Sequence, residues 1–267
     1  MSKYYDLFGG KKPVIGMIHL LPLPGAPRYG GSMEEIEQAA MQDLYALEAG
    51  GADAAIIENF GDVPYDPEIS IMTFAAMCAV AAKVKEKASI PIGINVQYNC
   101  TEHEWALAYA IGADFIRVEA FVENRVGTHG LVLAAAPKLM RQKGLYPSNT
   151  LIFADINTKH TMPLHNQPIE LSVHEAVDSG ADALIVTGIL TGVNPTEEDL
   201  RDIKAVSAGV PVLLGSGINV NNAAGFFRTA DGAIVGSSLK MEGKVENRVD
   251  SERVAKFVEA IKNVSAL

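Results

Sequence analysis

Short β-branched apolar runs alternate along this chain with longer stretches whose apolar residues recur every three to four positions. The runs predict strands at Val14–His19, Ala54–Glu58, Ile92–Gln97, Phe115–Glu119, Leu151–Ile156, Ala183–Thr187, Val212–Gly215 and Ala233–Gly236. The stretches predict helices at Met33–Glu48, Glu68–Lys87, Glu102–Ile111, Leu131–Gln142, Ile169–Asp178, Thr196–Ser207, Val220–Arg228 and Glu252–Asn263. Ile36, Ala40, Leu44 and Leu47 illustrate the helical spacing. Strict strand–helix alternation requires a parallel sheet, and eight units in about 250 residues match a (β/α)8 barrel. The fold class is therefore α/β, a TIM barrel, with residues 1–267 as a single domain. An open doubly wound sheet is the competing arrangement, but no strand is followed by its GxGxxG fingerprint.

An internal repeat supports that count. Gly-Ala-Asp stands at 51–53, 112–114 and 180–182, with Ala230-Asp231-Gly232 as a weaker echo, each before an even-numbered strand. The glycine suits a helix end with positive φ. Pro13, Pro91, Pro147 and Pro211 stand at or before odd-numbered strands, where a missing N–H is tolerated. The chain thus repeats in blocks of two units. Its longer loops, Leu21–Ser32, Gly61–Pro67, Phe121–Gly130, Thr158–Pro168 and Lys240–Ser251, follow strands. Loops after strands form the active-site face of such a barrel.

Composition narrows the function classes. Of 267 residues 48% are hydrophobic and 20% charged, which is globular and argues against disorder. The net charge of −10 leaves no basic footprint, so no nucleic-acid partner is expected. Two cysteines, Cys78 and Cys100, are too few for a disulfide scaffold and fit a reducing, cytoplasmic setting. Ile69–Ala82 is uncharged but too short for a transmembrane segment. Lys11-Lys12 before Val14–Leu21 imitates a signal peptide faintly, without a cleavage site, and reads as the first strand.

Candidate chemistry follows from strand parity. Outward positions of a barrel strand pack on helices and must be apolar, so alternating polar positions face inward. Arg117 and Glu119 on the fourth strand, Asn95 and Gln97 on the third, and Asp155 and Asn157 on the fifth then point into the barrel. His19 and Glu58 end the first two strands, and Thr187 ends the sixth. All sit late in their strands, and buried charges there need partners or a ligand. A structural polar network is the alternative, and Arg117 with Glu119 could equally be a structural ion pair.

A second group is glycine-rich. Gly215-Ser216-Gly217 follows the seventh strand and Gly236-Ser237-Ser238 the eighth. Barrel enzymes often bind phosphate between these two loops, through backbone N–H groups and hydroxyls. Such a dipole-based site is compatible with an acidic chain. The expected partner is a small phosphorylated ligand; oligomerisation is left open. Lys159, in a loop with His160 and His165, reads as a solvated lysine in preference to a Schiff-base amine. His19, Glu58, Glu119 and Asp155 permit a hard divalent cation without defining a metal site.

The stretch Ala230–Ser238 resembles the last strand of tryptophan synthase α-type, phosphate-binding barrels. Over the whole chain, Pro13-Val14-Ile15-Gly16-Met17-Ile18-His19-Leu20-Leu21-Pro22-Leu23-Pro24-Gly25 resembles the signature of the BtpA family, which includes SgcQ-like proteins. Glu58-Asn59-Phe60-Gly61-Asp62, Asn95-Val96-Gln97, Arg117-Val118-Glu119 and Asp155-Ile156-Asn157 with Lys159-His160 are similar to it too. The resemblance implies a barrel related to phosphate-binding barrels, and a family named for photosystem I biogenesis as a peripheral membrane protein. It implies sugar metabolism for the SgcQ-like members.

The leading expectation is an enzyme on a phosphosugar or nucleoside-derived phosphate, an isomerase or lyase with Asp155, Glu119, Arg117, Glu58 and His19 as catalytic residues. Asp155 is the expected proton-transfer group. Asn95, Gln97, Asn157 and Thr187 would bind substrate, and Gly215, Ser216, Gly217, Gly236 and Ser237 its phosphate. The competing expectation is a non-enzymatic biogenesis or assembly factor.

Overall fold

The computed structural model describes residues 2–158, 160–187 and 195–262. Its strands in chain order are β1 (Val14–His19), β2 (Ala54–Glu58), β3 (Ile92–Asn95), β4 (Phe115–Val118), β5 (Arg125–Gly127), β6 (Gly130–Val132), β7 (Leu151–Ile156), β8 (Thr161–Pro163), β9 (Ala183–Val186), β10 (Val212–Leu214) and β11 (Gly232–Val235). Helices are α1 (Lys3–Leu7), α2 (Met33–Gly50), α3 (Ile71–Lys87), α4 (Thr101–Ile111), α5 (Ala136–Leu145), α6 (Ile169–Asp178), α7 (Glu197–Val206), α8 (Ala223–Phe226) and α9 (Ser251–Lys262). Eight strands close a parallel barrel in the order β1-β11-β10-β9-β7-β4-β3-β2, so the expected fold is the one found.

Strand parity sorts the core into two layers. Ile94, Ile116, Val118, Ile152 and Ala154 join the layer between strands and helices. Met17, Ile56, Phe115, Phe153, Ile185 and Leu213 fill the barrel. Phe115 stacks on Phe153 at 4.5 Å, and a Cβ on Gly93 would lie 2.2 Å from the Phe115 ring. Glycine at that position therefore makes room for the bulkier ring on the next strand.

The Gly-Ala-Asp repeat does more than end helices. Gly51, Gly112 and Gly180 have positive φ, as the helix-end reading requires. The aspartate of each copy accepts from an N–H at the start of the neighbouring strand, its first or second residue. Asp53 takes Val14 N at 2.9 Å, Asp114 takes Ile92 N at 2.8 Å, Asp182 takes Ile152 N at 2.9 Å and Asp231 takes Val212 N at 2.7 Å. Its own N–H returns a bond to the carbonyl of the same partner, at 2.8–2.9 Å. Lys85, Lys143 and Lys204 pair with Asp114, Asp182 and Asp231. Each two-unit block is thus pinned at the end of the barrel remote from the strands' C-termini.

Four features depart from the sequence expectations. Leu131 does not begin a helix: β6 pairs antiparallel with β5, and α5 starts only at Ala136 with proline in its first turn. The long loops after β4 and β7 contribute β5, β6 and β8 to one three-stranded sheet, ordered β6-β5-β8, beside the barrel. The helix expected at Val220–Arg228 shrinks to the four residues of α8. Helix α1 has no counterpart among the expected elements, because five residues carry too little periodicity. It plugs the barrel's N-terminal end, where buried Tyr4 donates its hydroxyl to Asp231 O at 2.9 Å.

Candidate active site

The C-terminal ends of β1, β2, β3, β4 and β7 bring the inward polar side chains together. Asn95, the last residue of β3, donates through Nδ2 to Glu119 Oε1 at 2.8 Å and accepts from Gln97 Nε2 at 3.0 Å. Arg117 on β4 reaches across to Asp155 on β7, with Nε and Nη2 each 3.0 Å from a carboxylate oxygen. Thr158 Oγ1 also donates to Asp155, at 3.0 Å. The ion pair is therefore Arg117–Asp155, not Arg117–Glu119. His19 stacks on Phe60 at 4.2 Å, and its Nε2 is 4.0 Å from Glu58 Oε1.

Burial sets the protonation states. Glu119 is 3% exposed, and desolvation, against the opposing pull of Arg117, pushes its pKa up to about 8. Glu58 also rises, by burial first, although Arg117 opposes the shift. Glu104 on α4 lies behind Glu119; burial and the Glu119 charge raise it. Burial opposes the charge on Arg117, but Asp155, Glu58 and Glu119 together outweigh it. His19 falls to about 3, through burial and then the nearby Lys240 charge, so its ring is neutral at pH 7. Among the described residues, the buried polar atoms without a hydrogen bond include His19 Nδ1, Glu119 Oε2 and Thr187 Oγ1. Such orphans are costly unless a ligand completes them.

The two glycine turns lie across the barrel from β3 and β4 in the strand order. Gly217 has φ +74°, and its carbonyl is held by Asn222 Nδ2 at 2.9 Å. Gly236 precedes a short 3-10 turn, Ser237–Leu239, whose first internal bond is Leu239 N to Gly236 O. The N–H groups of Ser237 and Ser238 come before that bond. A Cβ on Gly236 would stand 3.8 Å from Met17 and 3.9 Å from His19, so this turn opens toward the mouth. Two expected donors are otherwise engaged. Gly215 N–H bonds to Val186 O at 2.8 Å, and the Ser216 hydroxyl donates to Thr187 O at 2.6 Å.

Asn157 does not share the chamber of Asp155. It lies beyond the end of β7 with φ +53°, where strand parity no longer applies, and its Oδ1 accepts from Arg125 Nη2 at 2.9 Å. Buried Arg125 also binds Thr161 Oγ1 at 2.7 Å, Thr158 O and Glu123, fastening the β5–β6–β8 sheet over one side of the mouth. A cavity of about 270 Å3 under that sheet is lined by Asn157, Thr158 and Thr161, among others. Among the described residues no three His, Cys, Asp or Glu side chains gather closely enough to hold a metal ion. Lys159 lies outside the described residues.

Sequence reasoning missed several groups. Asn59 is buried next to Glu58; its Oδ1 accepts Gln97 N at 2.7 Å and its Nδ2 donates to Asp62 at 3.0 Å. Asp43 is buried in α2 and pairs with Arg248 at 3.2 Å and Lys240 at 3.7 Å, behind His19. Its signal was present: a lone acid next to Leu44 on an apolar helical face. Lys240 carries no such pattern, because a loop has no period.

Residues 10–263 match the model of the BtpA family. An uncharacterized protein of Pyrococcus abyssi is 40% identical over 256 residues, covering 96% of this chain and 98% of its own length. The photosystem I biogenesis protein BtpA of Synechocystis sp. is 35% identical over 259 residues, covering 96% and 90%. Among solved structures, the tryptophan synthase alpha chain from Legionella pneumophila superposes with TM-score 0.65 at 14% identity, over the whole of both chains. Phosphoribosyl anthranilate isomerase from Thermococcus kodakaraensis superposes with TM-score 0.59 at 16% identity, covering 94% of this chain and 99% of that one. These two likenesses are of fold.

Proposed function

We propose that this chain, which belongs to the BtpA family, is a cytoplasmic enzyme acting on a small phosphorylated metabolite by isomerase- or lyase-type proton transfer. The reading covers a phosphosugar or a nucleoside-derived phosphate. The observation that carries it is Glu119. It is a buried carboxyl, protonated near neutrality, with one oxygen fixed by Asn95 and the other without a partner in the barrel mouth. A structural network would have satisfied that oxygen. A general acid needs it open to substrate.

Roles then follow from the contacts. Glu119 gives or takes the proton. Asp155 serves as the fixed counterion that aims Arg117, because three hydrogen bonds already engage its two oxygens. Asn95 and Gln97 hold Glu119 in place, and Glu58 beside neutral His19 is the second carboxyl available for proton transfer. Gly217, Gly236 and Ser237 form the anion cup. Barrels of this fold named for phosphoribosyl anthranilate isomerase and tryptophan synthase alpha chain make phosphorylated substrates a reasonable class.

Calorimetry with a panel of phosphosugars and nucleoside monophosphates tests this reading. Saturable binding that weakens in Gly236→Val supports it, and the absence of binding by every phosphorylated compound overturns it. A second reading, an assembly factor like the named Synechocystis relative, draws on one feature. The outer face of the β5–β6–β8 sheet exposes Val126, Leu131, Leu133 and Leu164 to solvent. Complex formation abolished by Leu131→Ser, with no phosphometabolite binding, would favour it.

A further inference from the structure

Three strands converge on Gly215. A Cβ there would lie 2.6 Å from Thr187 Cγ2, 2.5 Å from Ile185 Cγ2 and 3.6 Å from Arg117 Nη2. The absent side chain lets the methyls of Ile185 and Thr187 close in on the backbone there, which brings the threonine that follows β9 near the guanidinium of β4. Both neighbours hold donors that take no acceptor among the described residues. Arg117 commits Nε and Nη2 to Asp155, and no acceptor among the described residues takes Nη1. Thr187 is 2% exposed and its Oγ1 makes no hydrogen bond to the described residues, although its carbonyl is anchored by the Ser216 hydroxyl. The guanidinium supplies one open edge and the threonine a single O–H. That set suits one ligand oxygen, whereas a phosphate with three terminal oxygens fits the glycine turns better.

We infer that Arg117 Nη1 and the Thr187 hydroxyl, brought near each other at Gly215, form an oxyanion site for the carbonyl oxygen of a phosphorylated α-hydroxy aldehyde or ketone. The inference rests on the phosphometabolite reading and narrows its substrate class to carbonyl compounds that pass through an enolate. Glu58 as carboxylate takes a proton from the carbon beside the carbonyl. The C–H electron pair becomes the C=C bond, and the carbonyl oxygen takes the negative charge at Arg117 and Thr187. Once Glu119 has protonated that oxygen, the hydroxyl on the neighbouring carbon gives its proton back to the Glu119 carboxylate and becomes the new carbonyl, while Glu58 returns its proton to the former carbonyl carbon, which completes an aldose–ketose isomerisation with no other reactant. A preorganised donor pair of this kind acts on charge that develops only in the transition state. The carboxyl of Glu119 stands on the same strand end as Arg117 and can protonate that oxygen.

The test uses the intact chain and four probes in calorimetry: inorganic phosphate, glycerol 3-phosphate, the hydroxamate of phosphoglycolate as an enediolate mimic, and oxalate as a phosphate-free mimic. Wild type should bind the hydroxamate at least about 10²-fold tighter than glycerol 3-phosphate, as expected of an intermediate mimic. Thr187→Val should remove most of that preference, leave the inorganic phosphate affinity unchanged, and leave the melting temperature unchanged or higher. A melting temperature that falls would mark the hydroxyl as structural. Phosphate binding with equal affinities for hydroxamate and glycerol phosphate overturns the oxyanion site and spares the anion cup. If no phosphorylated probe binds, the function reading fails, and oxalate decides the floor separately. Oxalate binding weakened by Thr187→Val upholds the oxyanion site, and no such weakening rejects it.

Discussion

Arg117 and Asp155 face each other across neighbouring barrel strands as a two-point ion pair, both bonds 3.0 Å long, with the carboxylate side chain wholly buried. Sequence reasoning made Asp155 the proton-transfer group; the role proposed above is that of a counterion. The two roles separate in Asp155→Asn. Removing one partner of a buried pair typically costs about 3–5 kcal/mol, and the lower end applies if Glu119 ionises to replace the lost charge. Urea unfolding should register that loss. Full stability with turnover reduced by orders of magnitude would return the proton to Asp155.

Glu119→Gln should behave oppositely. It keeps the bond from Asn95 and removes the titrating group. Turnover of the substrate, once found, should fall by about 10²–10⁴-fold while binding persists. With Glu119 in the proposed role of acid and its pKa pushed up to about 8, wild-type activity should decline as the pH rises through that value. The residual activity of the Glu119→Gln variant should lack this limb. An unchanged pH profile in the variant would assign the limb to another group.

Gly236→Val addresses the anion cup. The Cβ position of Gly236 meets Met17 and His19 only at ordinary contact distance. The variant should fold with a melting temperature within a few degrees of wild type. Its isopropyl group stands in the mouth, so phosphate affinity should drop at least about tenfold, a loss of roughly 1.4 kcal/mol. Equal affinities by calorimetry would move the anion elsewhere.

The pH dependence of stability carries two opposite slopes. His19 has a folded pKa of about 3 against an ordinary 6.5, so between these values the unfolded chain binds more protons and stability rises with pH. Glu119 has a folded pKa of about 8 against 4.5, so the folded chain binds more protons and stability falls as pH rises through that window. Equilibrium unfolding of His19→Gln should lose the first slope, and Glu119→Gln the second. A variant with the wild-type slope in its own window refutes the assigned shift.

Asp114→Asn tests the repeat. The carboxylate bonds the first N–H of β3 and pairs with Lys85 at the far end from the mouth. Losing a hydrogen bond to a charged acceptor there should cost about 1.5–3 kcal/mol. Ligand affinity should stay within about twofold, since distant sites seldom couple. A shifted affinity would reveal coupling between the two ends of the barrel.

Much of this was legible in the residues because a barrel imposes parity. Ile116 and Val118 had to face helices, and that alone turned Arg117 and Glu119 inward. Parity lapses where a strand ends, and the left-handed backbone at Asn157 carried that side chain to Arg125 instead. Which carboxylate Arg117 would choose was also invisible. Asp155 wins through the register of β4 on β7, which pairs Val118 with Ala154. The aspartates of the repeat were seen as a pattern, but their bonds join residues 19–39 positions apart, a separation that local spacing does not encode.

The plug at the barrel's lower end links the two extremes of the polypeptide. Tyr4 rests on the carbonyl of Asp231, 227 positions later, and β1 finds its second neighbour only in β11. During synthesis the opening helix must therefore wait, unseated, until nearly nine-tenths of the chain has left the ribosome. Until then Ile15, Met17 and the stacked phenylalanines have no closed interior to occupy. Nascent chains stalled before Asp231 should accordingly be targets for chaperones and proteases, and shortening the message from its 3′ side should be far more damaging than trimming the first residues.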